Sequence, residues 1–414
     1  MTVMTVIVTA DAVMITTTNK KTLFDSPARR NVQESFLWEV FMYGLYIHVP
    51  FCLQKCKYCD FVSFAGCGVS EQEYQNLLIR EMERYPKEKI DTIFVGGGTP
   101  TVCSPEFLER LFEAVRSHFS VFDHAEITVE ANPKTLSWEK LSALKRAGVN
   151  RLSIGVQSFS DRELSALGRI HTAQEAEDTI RLVQQFGGFS VNLDFMTAIP
   201  YQTKQSLSET LDRALSLSPE HLSCYSLILE EGTPLYREYE KGALNLPEED
   251  EERALYEMVC KRLKSAGYRH YEISNFAKPG AECRHNLKYW QCREYIGLGL
   301  AAHSYYQGKR FSNPASWERY RAGEQEVQEV LSQKDEIEEF MIMGFRLSDG
   351  ISEKEFFRRF SVPVESVYQS QLEKFKKGGF LEHADGAWRL SEKGISVSNA
   401  ILCEFLLDDV KKSN

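Results

Sequence analysis

The sequence predicts an α/β protein: a partial (β/α)6, TIM-like barrel followed by a helical, winged-helix-like C-terminal domain. Three observations predict it. From Leu45 onward, short β-branched or aromatic runs alternate with segments of helical period, the pattern of βαβ units around a parallel sheet. The alternation repeats six times, and repeated right-handed crossovers curl a sheet toward a barrel, although an open doubly wound sheet alternates in the same way. Beyond about Asn275 it gives way to a Gly- and aromatic-rich stretch, then to helical periods ending in a hairpin pattern.

Residues 1–41 show no convincing period and precede the first strand, so they read as a dispensable extension. The expected barrel spans 42–275, with strands at Leu45–Val49, Asp91–Val95, Glu126–Glu130, Arg151–Val156, Val191–Phe195 and Leu222–Leu227. Tyr74, Leu77, Leu78 and Met82 share one helical face, as do Phe107, Leu108, Leu111, Phe112 and Val115, so both helices are expected on the sheet. Ser70 with Glu73, Ser160 with Glu163 and Thr172 with Glu175 read as capping boxes, and Ser104-Pro105 as an N-cap before a first-turn proline. Residues 276–332 form a linking region that completes the barrel. The remainder, 333–414, reads as helices near Glu336–Phe345, Glu353–Phe360 and Val364–Lys377, then a hairpin around Asp385-Gly386.

Composition narrows the function classes. The 414 residues are 43% hydrophobic, enough for a full core, and carry a formal net charge of −10, which opposes a phosphate-tracking surface. Residues 335–414 hold 15 Asp and Glu against 11 Lys and Arg, so the wing is not expected to bind nucleic acid. With a mean hydropathy of −0.34 and no apolar run long enough to cross a bilayer, an integral membrane protein is excluded, while peripheral contact with a membrane stays open. The leading residues lack a basic segment and contain Asp11, which makes a poor secretory signal. Lys20, Lys21, Arg29 and Arg30 favour a transit peptide, but Asp11, Asp25, Glu34 and Glu39 oppose one, so the expected compartment is the cytoplasm. Oligomeric state, including a homodimer, is not legible.

The ten cysteines do not form the dense framework of a small secreted domain. Three of them, Cys52, Cys56 and Cys59, fall on one short loop directly after the first strand. A zinc site would need a fourth ligand such as Cys67 or His48, and a disulfide would leave one thiol unused. An iron–sulfur cube on three thiolates leaves one iron open to a small molecule. Further polar motifs follow at successive strand ends, where a barrel gathers its site. They are Gly96-Gly97-Gly98-Thr99-Pro100, Glu130-Ala-Asn132-Pro133, Ser153-Ile-Gly155-Val-Gln157 with Arg169 beyond it, and Asp194. For Asp194 and Arg169 a buried structural salt bridge is the competing reading. Cys67, Cys103, Cys224, Cys260, Cys283, Cys292 and Cys403 read as small buried or surface thiols.

The Cys-x-x-x-Cys-x-x-Cys spacing, with these motifs, resembles the radical S-adenosylmethionine (SAM) superfamily, in its coproporphyrinogen-oxidase-like branch, over nearly all of Tyr43–Ser398. The resemblance implies that Cys52, Cys56 and Cys59 hold a [4Fe-4S] cluster whose open iron takes SAM. It implies also that Tyr46, Gly97, Gly98, Thr99, Glu130, Gln157, Arg169 and Asp194 line the SAM site, with Tyr58 against the adenine. Within the branch, coproporphyrinogen III dehydrogenases carry a further cysteine two places after the third ligand, where this chain has Phe61. His285-Asn286-Leu-Lys-Tyr289-Trp290 instead resembles the HNxxYW motif of the HemW group, implicated in haem binding. An imidazole can ligate iron, and aromatic faces suit a porphyrin, although a packed loop at the barrel edge is the plainer alternative. The resemblance thus implies a haem chaperone that passes haem to apoproteins such as respiratory-chain enzymes. A coproporphyrinogen dehydrogenase or another radical oxidase is the second reading. His48 and His303 are secondary site candidates, and Gly297-Leu-Gly299 with Ala302 is only a weak dinucleotide signal.

Overall fold

The computed structural model describes residues 7–9, 12–14, 42–66, 68–326 and 329–407. Within the extension two short strands, Ile7–Thr9 and Ala12–Met14, pair antiparallel. Its expected dispensability and the transit-peptide reading fall mostly on residues outside those described, as does Cys67.

All six expected strands are present, as β1 (Tyr43–Val49), β2 (Lys89–Gly97), β3 (Ser120–Ala131), β4 (Arg151–Gln157), β5 (Ser190–Thr197) and β6 (His221–Ser226). They pair in sequence order and in parallel, so their C-terminal ends face one way. Beyond β6 the sheet continues antiparallel through β8 (Asn275–Ala277) to β7 (Arg269–Glu272). At the other end a seventh parallel strand, β9 (Tyr295–Leu298), pairs with β1 and leads into antiparallel β10 (His303–Tyr306), β11 (Lys309–Ser312) and β12 (Glu329–Val330). The twelve strands form one open sheet with β12 and β7 at its ends, a partial barrel rather than a closed one.

The weak Gly297-Leu-Gly299 signal resolves here. A Cβ on Gly297 would stand 1.9 Å from the His303 carbonyl oxygen, so this glycine serves strand crowding and not a phosphate loop.

Helices cover the sheet as the apolar periods require. In α1 (Glu71–Met82) Tyr74, Leu78 and Met82 are buried, and in α2 (Pro105–His118) all five apolar positions are. Each such side chain contributes about 1.5–3 kcal/mol. The Ser104 side chain accepts from Phe107 N with Pro105 in the first turn, and Thr172 with Glu175 closes both halves of a capping box. Two expected boxes differ. Ser70 caps Glu73 N without the reciprocal bond; the Ser160 side chain caps nothing, and the reciprocal half is lost because Ser160 N donates to Ser158 Oγ at 2.9 Å while the Ser158 hydroxyl donates to the Glu163 carboxylate at 2.6 Å.

The C-terminal region has its own core. Its helices Gln333–Gly344, Glu353–Phe360 and Val364–Lys377 pack with a three-stranded sheet whose hairpin, Leu381–Ala384 with Ala387–Leu390, turns at Asp385-Gly386. Both turn residues have positive φ, 55° and 70°, as a two-residue hairpin demands. Trp290 belongs to this core and ties it to the barrel.

Candidate functional site

At the C-terminal ends of the parallel strands lies a cavity of about 280 Å³ lined by Cys52, Cys56 and Cys59 together with residues from β2 to β8. The cysteine loop leaves β1 at Val49 and is stitched at its base, where Cys52 N donates to Phe64 O at 2.8 Å and Phe64 N to Pro50 O at 2.6 Å. Farther along, Lys57 N donates to Leu167 O and Lys57 O accepts from Leu235 N, so neighbouring segments hold the loop by its backbone. Gly98 packs beneath it: a Cβ there would meet Val49 O at 2.6 Å and Phe51 O at 2.7 Å.

Side chains from successive strand ends form a connected polar wall. Asn132 Nδ2 donates to Thr99 Oγ1 at 2.6 Å, and Thr99 Oγ1 stands 3.7 Å from Cys52 Sγ. Arg169 donates to Asn132 Oδ1 and to Gly155 O, and its Nη1 lies 3.4 Å from Cys56 Sγ. The Glu130 carboxylate accepts from Gly97 N at 3.1 Å, with Gly97 at a φ of 96° that only glycine adopts readily. Asp194 accepts from Asn192 Nδ2 at 2.7 Å and Ser153 Oγ at 3.1 Å. The competing Asp194–Arg169 salt bridge is therefore not formed. Gln157, at a φ of 67°, keeps its buried Oε1 without a partner.

Of the expected site residues, the three cysteines, Tyr58, Gly97, Gly98, Thr99, Glu130, Gln157, Arg169 and Asp194 line this one cavity. Tyr46 does not. It lies buried against Phe94, with its hydroxyl donating to His48 Nδ1 at 3.0 Å. His48 Nε2 in turn donates to Val62 O at 2.8 Å, and burial pulls its imidazole down to about 4. Both ring nitrogens are thus spoken for, which removes His48 as a fourth metal ligand. His303 is likewise absent from the lining.

The HNxxYW segment divides. On the helix Arg284–Trp290, Asn286 and Trp290 reach the cavity, whereas His285 and Tyr289 do not. His285 is fully buried, its Nδ1 2.9 Å from Thr92 Oγ1 and its Nε2 2.9 Å from Tyr289 OH, and it stacks on Phe94. Burial, then Lys288 and Arg151, pull its imidazole down to about 3. With both ring nitrogens engaged by Thr92 and Tyr289, His285 presents no free imidazole nitrogen to the cavity in this arrangement. Beyond the expected site residues, Asn132, Arg151, Asn192, Tyr225, Glu272 and Arg346 also line the cavity. Asn132 stands in the strand-end motif already singled out, just past β3; Arg346 carries no such signal, because it comes from the C-terminal region.

Burial, then the neighbouring Cys56, pushes the Cys59 thiol up to about 12, so a metal that binds there must displace a proton. Among the described residues no group of three or more His, Cys, Asp and Glu side chains is arranged by itself to hold a metal ion. The donor chemistry fits an iron–sulfur cluster all the same: three thiols on one cavity wall, with the imidazole that could complete a zinc site engaged elsewhere.

Residues 46–214 match the family model for the radical SAM superfamily, and residues 331–397 match that for the HemN C-terminal domain. The chain is 36% identical to the heme chaperone HemW of Lactococcus lactis, over 88% of its own length and 97% of the relative's. With heme chaperone HemW of Bacillus subtilis the identity is 37%, over 88% and 99%. The chain belongs to the radical SAM superfamily and, within it, to the HemW family. Radical S-adenosyl methionine domain-containing protein 1, mitochondrial, of Bos taurus is 33% identical over 88% of this chain and 87% of that one. The solved structure of the Escherichia coli coproporphyrinogen III oxidase HemN superimposes with a TM-score of 0.78 at 20% identity, over 91% of this chain and 94% of that one. That likeness establishes the fold: a radical SAM partial barrel carrying a helical C-terminal region. Membership in the superfamily implies SAM and an iron–sulfur cluster as cofactors.

Proposed function

We propose that this chain is a haem chaperone: it binds haem, carries a [4Fe-4S] cluster on Cys52, Cys56 and Cys59 with SAM on the open iron, and delivers haem to apoproteins such as respiratory-chain enzymes. The observation that carries the proposal is the near full-length likeness to the HemW relatives, at 35–37% identity in four bacterial species. Phe61, two places after Cys59, supports it against a coproporphyrinogen III dehydrogenase.

The cluster with SAM supplies one-electron chemistry at a sulfonium. Around it, we assign each residue a role that its contacts support. Glu130 and the Gly97–Gly98 backbone offer a carboxylate and close backbone approach to the methionyl group. Thr99, Asn132 and Arg169 form a chain of hydrogen bonds between Cys52 and Cys56 that holds the ligand loop against the sheet. Asp194, oriented by Asn192 and Ser153, faces the cavity with an acceptor for ribose hydroxyls. Tyr58 packs with Leu167, Met196, Ile199 and Leu235, an apolar wall suited to adenine.

The same proposal divides the chain into an extension to 41, a radical SAM barrel over 42–275, a completing segment over 276–332 and a C-terminal domain from 333. No helix among the described residues is long and apolar enough to cross a membrane. We place the chain in the cytoplasm, with peripheral membrane contact where respiratory acceptors sit.

Anaerobically reconstituted protein given coproporphyrinogen, SAM and a reductant is expected to form no protoporphyrinogen, while binding haem in a parallel titration. Product at enzymatic turnover overturns the reading in favour of a dehydrogenase.

A further inference from the structure

A second set of cavity residues comes from elements other than the cysteine loop. Asn286 and Trp290 lie on the helix Arg284–Trp290, Glu272, Ser274 and Asn275 around β7 and β8, and Arg346 just after the first C-terminal helix. Here Arg346 Nε, Trp290 Nε1, Asn286 Oδ1, Asn275 Oδ1 and Glu272 Oε2 are all buried without a hydrogen-bond partner. An unpaired buried polar group costs about 1–3 kcal/mol, so such a concentration on one wall marks a place shaped for a polar guest.

The arrangement of donors says which guest. The Arg346 guanidinium lies 4.4 Å over the Trp290 ring, and its Nη2 stands 3.6 Å from Glu272 Oε2, too far for a closed hydrogen bond. Glu272 Oε1 is already engaged by Ser274 N and by Asn275 Nδ2. Two neighbouring N–H donors, Arg346 Nε and Trp290 Nε1, therefore stay open beside a cationic plane and an aromatic face. That combination suits a carboxylate at the rim of a flat apolar ligand. Burial pushes the Glu272 carboxyl up from its ordinary range, against the pull of the Arg346 guanidinium beside it.

The other half of the motif explains the aim. His285 bridges Thr92 and Tyr289, Lys288 pairs with Asp91 at 2.8 Å, and Glu126 accepts from Arg284 N and His285 N, so the short helix is clamped from three sides. The clamp directs Asn286 and Trp290 into the cavity.

We propose that Arg346, together with Trp290 and Asn286, anchors a carboxylate side chain of the planar cargo, and that His285 is a positioning residue for this anchor. The proposal rests on the haem-chaperone reading and deepens it. It assigns to the C-terminal region a direct part in ligand selection.

The test is a titration of the full chain with haem and with haem dimethyl ester, which lacks free carboxylates. The unaltered chain is expected to bind the ester about ten- to a hundredfold more weakly than haem, the worth of a charge-assisted hydrogen bond. Arg346→Gln is expected to bind both alike. Because losing Arg346 strands a buried carboxylate, the same comparison is made between Glu272→Gln and the double variant Glu272→Gln with Arg346→Gln, which leaves no lone charge. Discrimination is expected in the former and not in the latter. His285→Gln is expected to weaken haem binding while leaving the haem absorption spectrum unshifted. Full discrimination in the double variant, or a changed iron-ligand spectrum in His285→Gln, overturns the anchor. Absence of haem binding by the unaltered chain overturns instead the reading on which it rests.

Discussion

Replacing Gly98 with alanine tests how closely the glycine turn supports the cysteine loop. The new Cβ would lie 2.6 Å from Val49 O, 2.7 Å from Phe51 O and 2.8 Å from Pro50 C. These are backbone atoms, and they fall roughly 0.7 Å short of ordinary contact, so the strap entering the cluster loop must retreat. The retreat stretches two bonds, Gly98 N to Val49 O at 3.0 Å and Thr99 N to Phe51 O at 2.7 Å. Overpacking of this kind costs about 1–3 kcal/mol, and weakening two backbone bonds adds about 1 more, for a loss of about 3 kcal/mol. Urea unfolding of the apoprotein measures the stability, and iron and sulfide content after anaerobic reconstitution measures the loop. Both are expected to fall, with cluster content at half or less. Gly96→Ala is the control: its Cβ meets the Glu130 carboxylate at 2.6 Å, a side chain that can swing away. It is expected to weaken SAM binding while iron content stays at the parental level. A Gly98→Ala protein with parental stability and a full cluster would falsify the packing argument.

Other outcomes follow from the same geometry. Cys56→Ala is expected to abolish the iron–sulfur absorbance of reconstituted protein, and retention of all iron and sulfide contradicts the ligand assignment. Glu126→Gln removes the carboxylate that accepts from Arg284 N and His285 N, and a loss of about 1–2 kcal/mol with weaker haem binding is expected by denaturation and titration. The pH dependence of stability carries the mark of His285, neutral in the fold with its pKa pulled down to about 3, while the unfolded chain takes up a proton below about 6.5. A group lowered in the fold gives stability that is present above the unfolded pKa and lost as pH falls, here on the order of 2 kcal/mol from pH 7 to pH 5. His48 and His171, both pulled down to about 4, act in the same direction. Urea midpoints across this range are expected to fall less steeply for His285→Asn; an identical slope refutes the assignment.

Much of this molecule is legible residue by residue. Local apolar periods name every parallel strand from β1 to β6, because each buries one face under the helices and turns the other into the barrel, and the period of α2 names its buried stripe in full. Where side chains had two partners within reach, local reading failed. Glu163 fits a capping box by spacing, yet Ser158, five residues earlier, competes for the carboxylate and wins. The strand β9 lies in the segment expected to complete the barrel, but no strand pattern marks it in the sequence, and pairing with β1 makes it a strand.

The sequence alone determined the alternation of strands and helices, the three-cysteine loop and the motifs at the strand ends, because those depend on neighbours within a few residues and on a regular crossover. The tertiary structure decided which polar side chains share one cavity. It turned His285 and Tyr46 inward to packing partners, turned Asn286 and Trp290 outward, and brought Arg346 beside them from the far end of the chain. Which way a side chain on a short helix faces depends on what the rest of the fold packs against it, and residues nearly 200 positions apart supply that packing.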